Sequence, residues 1–312
     1  MGSRRFVNLD GSGPQPFSNV LKWGVVDRLA GRRRRSPARA LVPRVEADRR
    51  VLASPPAQAE PARLTWLGHA SFLVQIDGVN LLTDAVLFDR IAGGIRRNVP
   101  PALGVNELPP IAASLVSHNH YDHLDLPTLA AVGAPVIGGL GLARYLERAG
   151  LECTELGWWE RTRVAGVDVS FVPSQHWSRR GLADANQSLW GGFVIEGRSA
   201  RVYHAGDTAY FDGFREIGRR FPGLDAAMLP IGAYDPAWFM EQQHMNPEQA
   251  TQGFVDLGAR RFVAMHWGTF KLADEPLDEP PERLRAEWKC RGLDETRLGL
   301  VAVGESLHTG GL

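Results

Sequence analysis

Lysine is nearly absent from this chain. Of 35 basic residues only Lys22, Lys271 and Lys289 are lysines, so the positive charge sits on guanidinium forks, which suit phosphate and carboxylate oxygens two at a time. Cysteine is scarce as well. The only two, Cys153 and Cys290, can build neither a disulfide framework nor a cysteine zinc cage, and a reducing cytoplasm is the expected compartment. No run approaches the ~18 consecutive apolar residues of a membrane-spanning helix. Ser3-Arg4-Arg5-Phe6 begins like a twin-arginine export signal, but the polar stretch that follows, through Asn8, Asp10 and Gly11, stands where an apolar segment is required, which excludes that reading. Net charge is also missing: 35 Lys and Arg balance 35 Asp and Glu.

The balance hides an asymmetry. Residues 1–63 hold 13 basic against 5 acidic side chains, a net of +8, and the remainder holds 22 against 30, a net of −8. The densest basic run is Arg32-Arg33-Arg34-Arg35. Just before it, Val20, Leu21, Trp23, Val25, Val26 and Leu29 have the spacing of one amphipathic helix over residues 17–30. It either packs on the main body or, with the arginines, lies against an anionic membrane surface. Residues 36–62, with Pro37, Pro43, Pro55, Pro56 and Pro61, read as a linker or surface strap. We therefore divide the chain into an extension, 1–62, and a main domain, 63–312.

In the main domain, 44% hydrophobic and 22% charged residues across the chain are ordinary for a packed globular protein. Strands are expected at 64–67, 71–76 and 79–82, with Asp77-Gly78 as a hairpin turn. Others follow at 111–116, 135–137, 167–172, 192–195, 201–204, 226–229 and 261–265. Helical patterns near 125–132, 140–150, 212–221 and 247–257 alternate with them, which argues for a layered α/β domain.

The chemistry concentrates in Ser117-His118-Asn119-His120-Tyr121-Asp122-His123, three of the nine histidines and an aspartate within six residues. It follows a strand, and in extended chain His118, His120 and Asp122 share a face. Imidazole nitrogens with carboxylate oxygens suit zinc, iron or manganese. His176, Asp207 and His266 each stand at or just past the end of another strand. Seven candidates exceed the needs of one zinc and suit two metals sharing a carboxylate.

The order H-x-H-x-D-H, then His, Gly-Asp-Thr and His resembles the metallo-β-lactamase superfamily. Trp66-Leu67-Gly68-His69-Ala70, Ser174-Gln175-His176-Trp177, Pro230-Ile231-Gly232-Ala233-Tyr234 and His266-Trp267-Gly268-Thr269-Phe270 resemble its N-acylphosphatidylethanolamine-hydrolysing phospholipase D branch, as do Arg5-Phe6-Val7-Asn8 and Asn19–Trp23. The resemblance implies a four-layer αββα fold with His118, His120 and His176 on one zinc, Asp122, His123 and His266 on the second, and Asp207 bridging. The Arg-rich stretch 27–62 departs from the family pattern.

A hydroxide held by two zincs is a nucleophile for a phosphorus or carbonyl centre. By resemblance the expected reaction is hydrolysis of N-acyl phosphatidylethanolamine, or a related phosphodiester, to an N-acylethanolamine and phosphatidic acid. Asp122 and His244 are the residues expected to act in catalysis, His244 at the phosphate or leaving group. A lactone, ester or β-lactam substrate is the rival enzyme reading, and a phosphate-binding module led by the arginines is the non-enzymatic one. His69 and Asp84 are expected to support ligands rather than to be ligands, while His204 and His308 receive no role. Trp158, Trp159, Trp177, Trp190, Trp238 and Phe239 serve as core or as walls of an acyl cleft. The expected partners are a phospholipid or other phosphodiester, the inner face of an anionic membrane as a peripheral contact, and a second copy of the chain; nucleic acid is not expected.

Overall fold

A computed structural model describes residues 5–91, 94–181 and 183–310. The first part of the main body forms β1 (Arg63–Gly68), β2 (Ser71–Ile76), β3 (Val79–Thr83), β4 (Ala113–Val116), β5 (Val136–Gly139) and β6 (Cys153–Leu156). The second part forms β7 (Arg161–Val164), β8 (Val167–Val172), β9 (Gly192–Glu196), β10 (Arg201–His204), β11 (Ala226–Pro230), β12 (Arg261–Met265) and β13 (Leu298–Gly299). β14 (Ser306–His308) returns to the first half and pairs antiparallel with β1. Two mixed sheets result, ordered β14-β1-β2-β3-β4-β5-β6 and β13-β12-β11-β10-β9-β8-β7.

Their inner faces meet over Trp66, Phe72, Phe171, Phe193 and Met228, all fully buried. Helices cover the outer faces, so β2 and β3 are buried along their whole length rather than alternating. In chain order the helices are α1 (Phe17–Leu21), α2 (Arg49–Leu52), α3 (Leu126–Val132), α4 (Ala143–Leu146), α5 (Gly213–Arg220), α6 (Ala237–Met240), α7 (Pro247–Leu257) and α8 (Glu279–Cys290). α3 and α4 bury Leu129, Leu142 and Leu146 against Val116 and Val136 of the first sheet. On the second sheet, Phe254 of α7 and Trp288 of α8 pack on Phe262 of β12. The expected αββα layering is therefore present.

Local sequence explains the element ends. Asp125 caps α3 by accepting from the Thr128 N–H, and Gly133 closes it at φ 68°. Asn246 and Gln249 form a capping box around Pro247 at the start of α7. Asp77 and Gly78, at φ 49° and 82°, make the expected hairpin turn. The helix expected near 140–150 is only α4 plus one 3₁₀ turn. α2, α6, α8, β6, β7, β13 and β14 lie outside the sequence expectations. Pro280 and Pro281 occupy the first turn of α8, where a missing N–H costs nothing.

The amino-terminal helix exists, with residues 22–27 widened into a π-helix. Trp23 packs it down: its ring stacks on Phe239 of α6 at 4.9 Å between centroids, and its N–H donates to Asp274 Oδ2 at 3.1 Å. Beyond the arginines the chain runs as a strap. Arg44 bridges to Val303, and Ala47 and Leu52 enter the core.

Candidate metal centre

Each candidate ligand leaves the carboxyl end of a strand at one rim between the sheets. Residues 117–124 follow β4, His176 follows β8, Asp207 follows β10 and His266 follows β12. The rim is crowded, and Gly206 (φ 60°) is required there, because a Cβ on it would stand 2.6 Å from Ser117 Cβ. His69 (φ 56°), Asp84 (φ 37°) and His266 (φ 61°) also occupy the left-handed region. Three non-glycine residues held this way around one site mark stored backbone strain.

The side chains form two donor sets. In one, His118 Nε2 and His176 Nε2 approach His120 Nδ1 at 2.8 and 3.2 Å. In the other, His123 Nε2 and His266 Nε2 lie 3.7 and 3.6 Å from Asp122 Oδ2. Asp207 stands between them. Its Oδ1 is 3.0 Å from His266 Nε2, and its Oδ2 is 3.2 Å from His123 Nε2, 3.9 Å from His176 Nε2 and 4.0 Å from His118 Nε2. His69 joins the second set through Nε2, 3.0 Å from Asp122 Oδ2. His244 faces the first, with Nδ1 3.8 Å from Asp207 Oδ2. His308 lies on β14 opposite Arg63, away from these clusters.

The rings are aimed from behind. Ser117 donates its N–H to Asp84 Oδ1 and its hydroxyl to Asp84 Oδ2, so His118 Nδ1–H, 2.9 Å away, donates to Ser117 Oγ. His123 Nδ1 and His204 Nε2 also donate to Asp84 Oδ2, at 2.8 and 3.0 Å. The carbonyl of Gln243 takes the Nδ1–H of His176 at 2.8 Å. These bonds hold a proton on Nδ1 of His118, His123 and His176 and turn Nε2 of each toward the site. Asn8 reaches in from the amino-terminal segment, its Oδ1 accepting from the His176 backbone N–H and from Trp190. Asp84 thus stands where the sequence reading put it, behind the ligands. His204, Gln243 and Asn8 join it there although nothing in the sequence placed His204 or Gln243.

This donor set fits divalent cations. His123 Nε2, His266 Nε2 and Asp207 Oδ1 are buried and make no hydrogen bond, although lone pairs converge within about 4 Å. Such an arrangement is repulsive unless protons or cations lie between the donors. Without metal, protons serve. Burial disfavours charge on every ring, yet Asp207, Asp84 and Asp122 hold His123 well above the usual histidine range, and Asp207 and Asp122 raise His266 to about 9. Burial prevails at His69, lowered to about 3, and at His120 and His244, lowered to about 4. Burial opposes ionisation of Asp122 and Asp207 too, but His123 and its neighbours bring both well below the usual carboxylate range.

A test of the support behind the ligands is Asp84→Asn. The amide keeps the shape but cannot accept from all four donors, so metal affinity is expected to fall by about 10–100-fold with both sites still filled at saturating metal. Chelator competition measures this, and unchanged affinity would remove Asp84 from the account.

The aromatic residues divide. Trp190 is fully buried, Trp158 and Trp159 cover the core, and Trp238 is 39% exposed beneath the Lys22 ammonium. Trp177 and Phe239 wall a cleft of about 350 Å³ that opens onto His120, Asp122, Asp207 and His244. Cys153 and Cys290 are free thiols.

Comparison with known proteins agrees with this geometry. A family described as Beta-lactamase superfamily domain matches residues 79–267. The chain is 35% identical over 263 residues to N-acyl-phosphatidylethanolamine-hydrolyzing phospholipase D 1 of Caenorhabditis elegans, covering 77% of this chain and 74% of that one. It is 31% identical over 251 residues to a metal-dependent hydrolase of Methanopyrus kandleri, covering 78% and 98%. Among solved structures, a metallo-β-lactamase fold protein of Bacillus subtilis superposes with a TM-score of 0.57 at 16% identity, over 80% of this chain and 100% of that one. The chain belongs to the metallo-β-lactamase superfamily, on the branch that includes the N-acyl-phosphatidylethanolamine-hydrolyzing phospholipases D, and its clustered His and Asp donors make it a metal-dependent hydrolase.

Proposed function

We propose that this hydrolase is a zinc-dependent phosphodiesterase of phospholipase D type, acting on N-acyl phosphatidylethanolamine or a related phosphodiester. The observation that carries the reading is the cleft above the metal donors. Val20, Trp23, Ile91, Ile95, Phe239 and Leu272 make its walls apolar, as an acyl-bearing substrate requires, while its floor is made of imidazoles and carboxylates. His118, His120 and His176 would hold one cation, Asp122, His123 and His266 the other, with Asp207 shared. A pair of divalent cations supplies Lewis acidity toward phosphoryl oxygens and lowers the pKa of water.

The chain's own groups do the rest. Asp207 reaches both donor sets, with Oδ1 at His266 and Oδ2 between His123 and the more distant His176 and His118. His244 sits at the cleft floor, its side chain 13% exposed, where burial keeps its ring neutral at pH 7. A neutral ring can give one hydrogen bond to a phosphoryl or departing oxygen without adding charge to the crowded site. The apolar walls exclude bulk water from the diester.

Access from a lipid surface follows from the same wall. Phe17, Leu21, Val25 and Leu29, spaced by four, are 73%, 46%, 46% and 84% exposed on the segment that contributes Val20 and Trp23 to the cleft. An exposed apolar row flanked by Lys22, Arg28 and Arg32 is the pattern of an interfacial helix. Phe17→Ser/Leu29→Ser is expected to lower vesicle binding at least tenfold, and turnover of vesicle-borne substrate with it, while leaving a soluble phosphodiester unaffected. Equal losses on both substrates would refute this docking. Removing the whole segment is a poorer test, since Asn8 and Trp23 belong to the site and its wall.

The deciding experiment is product mass spectrometry after zinc-loaded protein meets N-acyl phosphatidylethanolamine in mixed micelles in ¹⁸O-water. Label in phosphatidic acid and none in N-acylethanolamine is expected, because water then attacks phosphorus. Intact diester with both metals bound, or label in a released fatty acid, would overturn the proposal and move attention to carbonyl substrates such as lactones.

A further inference from the structure

Beside the catalytic cleft lies a second, larger one of about 550 Å³, between the arginine run and the loop after β12. Its lining carries Arg28, Arg33, Arg34, Arg35 and Lys271 against one acid, Asp274. That acid is already taken. Arg33 grips its carboxylate through Nε and Nη2, and Trp23 donates to it as well. Arg34 is shared between Glu279 and Asp235, outside the cleft.

The remaining three cations make no ion pair among the described residues. Arg28 and Arg35 have no carboxylate within ion-pair distance among the described residues, and the Lys271 ammonium donates only to neutral oxygens, Ser36 Oγ at 2.6 Å and the Glu275 carbonyl. Like charges gathered around one concavity repel unless an anion joins them. The acid pairs that hold Arg33 and Arg34 are what keep the run folded against the body instead of splaying into solvent. A phosphate group, with about two negative charges and several acceptor oxygens, can answer guanidinium forks and an ammonium together, which a single carboxylate cannot.

We propose that this cleft is an accessory phosphate-binding site, separate from the metal centre, which takes a phosphate group either free in solution or presented by a lipid headgroup. Its position gives it a purpose. Leu272 lines both clefts, and the Arg33 guanidinium lies 4.3 Å over the ring of Trp23, which walls the catalytic one. A phosphate held here stands next to the mouth through which substrate enters. The inference does not depend on which bond the enzyme cuts.

The test uses the full-length, metal-loaded protein and the triple variant Arg28→Gln/Arg35→Gln/Lys271→Gln. Its control is Arg219→Gln/Arg220→Gln, which removes charge from α5, where both arginines pair with Glu216. Inorganic phosphate is titrated calorimetrically, and co-sedimentation is measured with phosphatidylcholine vesicles with and without phosphatidic acid. At least tenfold weaker binding in the triple variant, with metal content unchanged and the control unaffected, is the expected result. Loss seen in the titration identifies free phosphate as a ligand, and loss confined to phosphatidic acid vesicles identifies the headgroup. Binding that survives in the triple variant belongs to the metal centre or the general surface and overturns the proposal, as does absence of binding in the wild type or an equal loss in the control.

Discussion

Asp207→Asn is expected to leave a folded protein that holds fewer than two metal equivalents and has lost turnover by a factor on the order of 10³ or more. The reason lies in how many groups one carboxylate serves. Asp207 is buried, its Oδ1 stands 3.0 Å from His266 Nε2, and its Oδ2 stands 3.2 Å from His123 Nε2 while lying within 4.0 Å of His118, His176 and His244. No other carboxylate among the described residues reaches both donor sets. Asparagine has the same shape, so packing is kept, but it removes the negative charge and turns one acceptor into a donor aimed at bare imidazole nitrogens. Asp122 would then be the one carboxylate left among the residues expected to hold the two cations. Metal content by mass spectrometry and turnover at saturating metal check the two halves of the statement. Two bound metals with near-wild-type turnover would show that Asp207 does not bridge.

What could be read from the sequence follows from distance along the chain. His118, His120, Asp122 and His123 are legible because a single loop carries them all, and His176, Asp207 and His266 because each sits at a strand end. The architecture was legible where hydrophobic runs were long, as in β2, β8 and α7, and not in the two- and three-residue strands β13 and β14 or in α8, whose first turn carries two prolines. The supports were harder. Asp84 gathers Ser117, His123 and His204, up to 120 residues away, and Asn8 reaches His176 across 168. Such pairs leave no periodic trace, since one hydrogen bond between distant loops constrains a single residue. The arginine run illustrates the converse. Its composition suggested phosphate, but only the fold shows that Arg33 and Arg34 are engaged by Asp274 and Glu279 while Arg28 and Arg35 are not.

The second large effect is on stability, and metal removal exposes it. In metal-free protein the site's histidines divide into two kinds with opposite pH dependence. His266, raised from 6.5 to about 9, and His123, also raised, bind protons more tightly folded than unfolded. The contribution of His266 is complete below pH 6.5 and disappears as pH rises through about 9, and that of His123 is likewise lost on the alkaline side. His69, His120 and His244, lowered to about 3 to 4, stay neutral when folded but take up protons when unfolded, so they cost stability as pH falls below 6.5. The metal-free melting temperature is therefore expected to peak near pH 6.5 and decline on both sides. His266 alone accounts for about 3 kcal/mol between pH 6.5 and 9, or roughly 5 °C in a domain of this size. Metal reverses the alkaline decline. Cations occupy the nitrogens that protons held, and binding releases those protons, so affinity grows as pH rises. The stabilisation conferred by zinc should accordingly be larger at pH 9 than at pH 6. Thermal melts with chelator and with zinc across pH 5–9 measure both curves. A metal-free melting temperature that stays level or climbs between pH 6.5 and 9 would mean that His123 and His266 hold no protons there and that the second donor set is not organised around Asp122 and Asp207.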